Sequence, residues 1–287
     1  MVTILALGAA LAYGVADFLG GTVTRHSSTL KTLLWCVPAG LTVLFVSALL
    51  TGRAPTSASL AWGFTAGVAG GAGLMTFYRA LARGPMSVVA PVSALASALL
   101  PIAVGVARGE RLDATVLTGV LICLIAIGLV SMEKSDARSE RSGGRLDNGP
   151  LMALVSGVCF GLFFTLIKSA GTGGGLWPLV AARAGNLAIV AVALAVVVAR
   201  GGTPGTSVSG RRLIGLALLS GSLDAAANAL YYLAVNSGLL SLAAVLTSLY
   251  PAITVLLARI AFSERLRTVQ RLGLALAATG VTLVTIG

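Results

Sequence analysis

Charge is what this chain has least of: only 10% of its 287 residues are Asp, Glu, Lys or Arg, against about 25% in an ordinary soluble domain. It has one histidine, His26, and nine acidic residues. HExxH, GxSxG and a glycine-rich loop ending in GK[ST] are all missing, so zinc, serine and nucleotide chemistry lose their usual carriers. No catalytic residue, metal site or cofactor is expected, and the chain reads as a non-enzyme. The three cysteines, Cys36, Cys123 and Cys159, fall inside apolar runs, which argues against a disulfide framework or a zinc site and for packing roles.

What fills the chain instead is apolar sequence, 57% of it, with a mean hydropathy of +0.98. Runs of about 20 residues recur from end to end, each long enough at about 1.5 Å per residue to cross a hydrocarbon core of about 30 Å. Breaks at charged, Gly-rich or Pro-rich points give ten spans, 2–23, 32–50, 60–82, 87–107, 114–132, 150–168, 177–199, 213–235, 239–259 and 268–286. The first lacks a basic leader and a small-residue cleavage site and reads as a retained helix. The expected fold is all-α and multi-pass in a cell membrane, the bacterial cytoplasmic membrane being the natural setting, with the lipid bilayer as partner.

The chain repeats itself. A shift of 154 places "GPMSVVAPVSALASALLPIAVGVARGERL", from Gly84, over "GLLSLAAVLTSLYPAITVLLARIAFSERL", from Gly238, and superimposes Glu110-Arg111-Leu112 on Glu264-Arg265-Leu266. The expected units are residues 1–132 and 150–287, five helices each, joined by a charged linker at 133–149. Five is odd, so the second unit enters the membrane from the opposite side. Inverted repeats of this kind put a transporter's site near the midplane, with one half rocking against the other.

The net charge of +11 comes from basic residues at helix ends, not from a basic patch interleaved with aromatics, so nucleic acid is not an expected partner. Fifteen Lys and Arg lie near the odd-numbered connections and four near the even-numbered ones. By the positive-inside rule this puts both termini outside.

Two of the nine acids lie within spans, Asp17 and Asp224. An acid at the centre of a membrane helix costs roughly 2.5–3.5 kcal/mol on insertion scales, so it normally faces a bundle interior and a partner. Asp224, Asn228 and Tyr231 or Tyr232 share one helical face at i, i+4 and i+7/i+8, a candidate substrate or proton site; the alternative is a structural hydrogen bond between helices. Asp17 has Tyr13 one turn before it and small residues on the same face, so it packs inward, lines a cavity or pairs with a base such as Arg25. Arg183 is the one cation well inside a span, with three open roles: neutralising Asp224, binding an anionic group, or snorkelling to the interface. Pro91, Pro101 and Pro251 are candidate kinks beside a cavity. The GxxxG spacings Gly63/Gly67, Gly67/Gly71 and Gly157/Gly161 signal close helix packing, and Glu110 and Glu264 read as interfacial anchors or caps.

With its duplicated layout, "YGVADFLGG" and "CFGLFF" early in each half, "YRALARGPMSVVAP" and "YYLAVNSGLLSLAAV" between third and fourth helices, and "SLYPAITVLLARIAFSERLRTVQRLG" in span nine, the chain resembles the EamA family of the drug/metabolite transporter superfamily. The resemblance implies a secondary transporter for a small metabolite, amino acid or drug-like solute, often an exporter, proton-coupled in some members. It also implies cytoplasmic termini, against the charge count. The family's usual proline of the fourth helix is Ser97 here and Pro251 in the second half, and its arginine early in the second helix of a repeat is matched by Arg183 and, in the first half, by about Cys36. The rivals are an intramembrane aspartyl enzyme built on Asp17 and Asp224 and a non-transporting membrane scaffold.

Overall fold

The computed structural model describes residues 1–83, 86–110, 113–130, 149–261 and 268–286. Among them every regular element is helical, as a chain that must satisfy its backbone inside lipid requires. The helices are α1 (Val2–Thr24), α2 (Thr29–Leu50), α3 (Ser57–Arg83), α4 (Met86–Ala107), α5 (Ala114–Val130), α6 (Gly149–Ser169), α7 (Trp177–Ala199), α8 (Arg211–Asn236), α9 (Leu240–Thr247), α10 (Tyr250–Ala261) and α11 (Thr268–Ile286). Six of them, α1, α2, α3, α6, α7 and α8, are long and apolar enough to cross a membrane, and shorter apolar helices accompany them. Gly84, Arg111, Glu264 to Leu266 and the linker at 133–148 lie outside the described residues.

The ninth expected span is two helices. Pro251 has no N–H to donate back to Thr247 and disfavours helix in the residues before it, and the chain turns at Ser248 and Leu249 before α10 starts. Span four behaves differently, with α4 continuous through Pro91 and Pro101; the side chain of Pro91 lies outside the described residues. Where Pro251 would align, Ser97 donates its hydroxyl back to Ala94 O at 2.9 Å.

Helix neighbours come in exchanged pairs. α1 packs on α8 as α3 packs on α6, α2 on α8 as α3 on α7, and α1 on α9 and α10 as α4 on α6. Three further pairs, α2 with α7, α5 with α11 and α4 with α9, map onto themselves under the same exchange. Glycines set the closest of these approaches. The Cβ positions of Gly63, Gly67 and Gly71 on α3 fall against the backbone of Pro178, Ala182 and Asn186 on α7, one turn apart, so the two helices run parallel. Gly221, 154 positions after Gly67, meets Cys36 of α2 in the same way. Large apolar side chains such as Leu121, Ile125, Val192 and Leu219 point outward, the reverse of a soluble domain and the arrangement lipid demands.

Connections meet at two ends. At one, Ser28 donates its hydroxyl to Pro204 O at 2.7 Å and its N–H to Thr206 O, tying the α1–α2 turn to the α7–α8 connection. At the other, Trp177 donates its indole N–H to Arg53 O at 2.7 Å and Arg53 donates to Thr172 O. Glu110 completes that end. One carboxylate oxygen accepts from Leu240 N at 2.8 Å and Lys168 Nζ at 3.3 Å, the other from Ser241 N and the Ser241 hydroxyl. Glu110 is therefore a cap, as its type and place suggested, but for α9, a helix 130 residues away.

Candidate functional site

A cavity lies between two walls that the exchange of neighbours relates. Tyr13 and Asp17 of α1, Asp224 and Asn228 of α8 and Tyr250 of α10 form one; Phe160, Phe163 and Phe164 of α6, Gly70 and Leu74 of α3 and Ser97 of α4 form the other, with Asn186 of α7 beside them. Asp224 and Asn228 stand 154 positions after Gly70 and Leu74, and Phe160 and Phe164 stand 147 after Tyr13 and Asp17. The glycines between make similar contacts, one position off the separation of 154: a Cβ on Gly14 would lie 2.7 Å from Tyr250 O, and one on Gly161 3.1 Å from Ser97 O. Equivalent places thus carry carboxylate, amide and phenol on one wall and aromatic, aliphatic and hydrogen on the other.

Arg183 reaches the polar wall from α7. It is only 3% exposed and stands 2.5 Å from Asp224 Oδ2, whose side chain keeps 20% exposure. The carboxylate approaches off the N–H axis, so Arg183 Nη2 makes a close ion pair without an aligned hydrogen bond. Of the three roles open to Arg183, the structure places it beside Asp224. Asn228 donates its amide N–H to Asp224 O at 2.6 Å, one turn back along α8.

Asp17 is placed differently. It is buried, 9% exposed, and lines the cavity, yet among the described residues no ion pair or hydrogen bond engages its carboxylate. The amide oxygen of Asn186, 7% exposed, is likewise without a donor. With Asp17 and Asp224 ionised and Arg183 cationic, this region carries one net negative charge.

Tyr231 and Tyr232 share the α8 face only in part and do not line the cavity. Tyr231 is fully buried, donates to Phe164 O at 3.3 Å and packs its ring 4.4 Å from that of Phe164; Tyr232 donates to Gly171 O. They anchor α8 to α6 and to the connection after it. Sequence reasoning missed Tyr250 and the three phenylalanines, and read Ser97 only as the residue in place of a proline, not as part of a site. The repeat shift held the signal, since it aligns the neighbourhood of Pro251 with that of Ser97.

As space open to the centres of water molecules, the cavity measures about 50 Å³, room for about three to five waters at ~10–15 Å³ each. No cluster of three or more His, Cys, Asp or Glu stands close enough to hold a metal ion among the described residues.

Residues 147–286 match the family model of the EamA-like transporter family. They belong to that family. The EamA-like segment contributes α6 to α11, hence Asp224, Asn228, Tyr250, Arg183 and the phenylalanine wall. Nineteen chains of solved structures also match; one, a crystal structure of a protein 17% identical, superposes with a TM-score of 0.71 over 99% of this chain and 96% of that one. At that identity the likeness shows the fold alone. No curated protein matches. The EamA-like assignment suggests a transporter of the drug/metabolite type, a multi-pass membrane protein whose partners are a small solute and lipid.

Proposed function

We propose that the chain is a secondary transporter that exports a small amine-bearing solute by alternating access, with Asp17 as the residue where substrate and proton compete. The observation that carries this is the carboxylate of Asp17, buried in the cavity without a partner while its neighbour Asp224 is paired to Arg183. A buried charge without a partner is expensive. An ammonium or a proton relieves that cost, and one carboxylate cannot hold both, which suffices to exchange one for the other across a membrane.

The facing wall supports the rest of the substrate's description. Phe160, Phe163 and Phe164 suit an apolar or aromatic body, and the free acceptor of Asn186 suits a second N–H. A zwitterionic amino acid with a large side chain and a cationic drug-like amine both fit; an inorganic ion does not use the aromatic wall. The exchanged helix neighbours and the recurring separations of 154 and 147 support an inverted repeat of five and five helices around the cavity. The ties at both ends, Ser28 with Pro204 and Glu110 with α9, support an occluded state that opens by loosening one end at a time.

The test is gradient-driven flux of amino acids and cationic amines in proteoliposomes. Asp17→Asn should lower pH-gradient-driven flux at least about tenfold, about 1.4 kcal/mol or more of lost coupling, and should leave binding of the neutral solute analogue intact. Wild-type flux in the variant would remove Asp17 from the mechanism. Dry, flux-free vesicles for every amine tested, with folded protein present, would favour the scaffold.

A further inference from the structure

A second, larger hollow stands apart from the transport path. It lies where α2 begins and α3 and α7 end, has a volume of about 740 Å³ and shares no lining residue with the central cavity. We propose that this hollow holds the phosphate headgroup and upper acyl segment of an anionic phospholipid.

Its chemistry is divided as such a lipid is. Arg79, in the last turn of α3, and Arg200, directly after α7, supply two cations, and among the described residues no acid lines the hollow. Both arginines are exposed, and neither guanidinium has an ion-pair or hydrogen-bond partner among the described residues. Guanidinium groups bind phosphate oxygens in pairs, so two of them in one hollow suit a phosphodiester better than a carboxylate or a neutral headgroup. Thr203 adds a hydroxyl at the same level, while Met75 and Val196 make an apolar surface below it. Val196 is outward-facing, so the apolar part is continuous with the lipid-facing side of α7. A soluble anion would use the arginines and leave that surface wet.

The hollow is also at the right depth and the right end. Helix termini lie at headgroup level, and among the described residues Arg25, Lys31, Arg79, Arg200, Arg211 and Arg212 stand at or beside the helix ends here, which makes this the side that faces the anionic leaflet by the positive-inside rule. Its walls are α2 and α3 from the first half of the chain and α7 from the second. A lipid seated there holds the two halves together at the end where α2, α3 and α7 converge.

The test uses the full chain in neutral detergent and counts retained lipid by native mass spectrometry, with phosphatidylglycerol and phosphatidylcholine offered at equal concentration. Wild type should retain phosphatidylglycerol over phosphatidylcholine by about thirtyfold, as about one kcal/mol for each of the two arginines near an anionic headgroup predicts. Arg79→Gln/Arg200→Gln should reduce that preference to about twofold or less. Arg211→Gln/Arg212→Gln, which removes two charges from the same end outside the hollow, should keep it. Ala193→Trp fills the apolar part without touching charge and should lower retention of both lipids. Equal retention of the two lipids by wild type, an unchanged preference in Arg79→Gln/Arg200→Gln, or displacement of phosphatidylglycerol by millimolar inorganic phosphate would each overturn the proposal, the last in favour of a small-anion site.

Discussion

Removing Arg183 tests the electrostatic core of the site. In Arg183→Gln, Asp224 keeps its carboxylate but loses the guanidinium 2.5 Å away. Breaking a buried pair by deleting one partner costs about 3–5 kcal/mol, because the survivor is an uncompensated buried charge. The two partners are unequal here. Asp224 retains 20% side-chain exposure and can draw cavity water, whereas Arg183 retains 3%. The loss should therefore fall near about 3 kcal/mol for Arg183→Gln and near about 5 kcal/mol for Asp224→Asn, where the more deeply buried cation is stranded. The double variant replaces the pair by two amides that hydrogen-bond, and should recover all but about 1 kcal/mol. The assay is unfolding by sodium dodecyl sulfate in mixed micelles, followed by circular dichroism. Single losses below about 1 kcal/mol that simply add in the double variant would refute the pairing as a stabilising contact.

Two predictions concern the scaffold. The hydrogen bonds from Ser241 and Leu240, with help from Lys168, outweigh burial and hold the Glu110 carboxyl below its ordinary value of 4.5; its contribution is therefore present above about pH 4.5 and lost as pH falls through the lower folded-state value. Thermal stability of wild type should exceed that of Glu110→Gln by about 1–2 kcal/mol near pH 7, and the gap should close toward pH 3; a gap that widens in acid would contradict the capping role. Gly67→Ala and Gly221→Ala place a methyl against backbone of Ala182 and Cys36 and should each cost about 1–3 kcal/mol, while Gly215→Ala, with open space around its Cβ, should be neutral or gain about 0.5–1 kcal/mol; equal effects at all three would remove the close crossings as the reason for these glycines.

Much of this was legible in the sequence because membrane helices announce themselves by length and apolarity. Apart from the ninth, which is two helices, the spans agree with the helices to within a few residues, and the GxxxG spacings fall on α3 and α6 where each glycine meets backbone or a side chain of α7 or α4. The candidate site was legible by residue type, since acids in a span are rare. What periodicity could not supply was the partner across the bundle. Asp224, Asn228, Tyr231 and Tyr232 share a face in sequence, yet the turn that faces the cavity ends at Asn228, and Tyr231 is turned into the contact with Phe164. The pairing of Arg183 with Asp224 depends on how α7 meets α8, which no local pattern records. The break at Ser248 was foreshadowed by Pro251, but not its contrast with the continuous α4.

The contacts also bear on which parts move, given the proposed alternating access. The polar wall draws α1 from the first half and α8 and α10 from the second; the opposite wall draws α3 and α4 from the first and α6 from the second. Each wall is knit internally, α1 to α8 and α10, α3 and α4 to α6, while the walls meet each other chiefly through α2 with α7 and α4 with α9. The bodies best suited to rock are therefore these interlocked bundles, not the two sequence halves, since parting the halves would tear the tightest crossings, whereas parting the walls opens the cavity. A duplicated scaffold whose walls were chemically equal would give its two access states equal energy. Here both carboxylates stand on one wall, so under the proposed mechanism loading Asp17 would weight one state against the other and bias the direction in which the bundles rock.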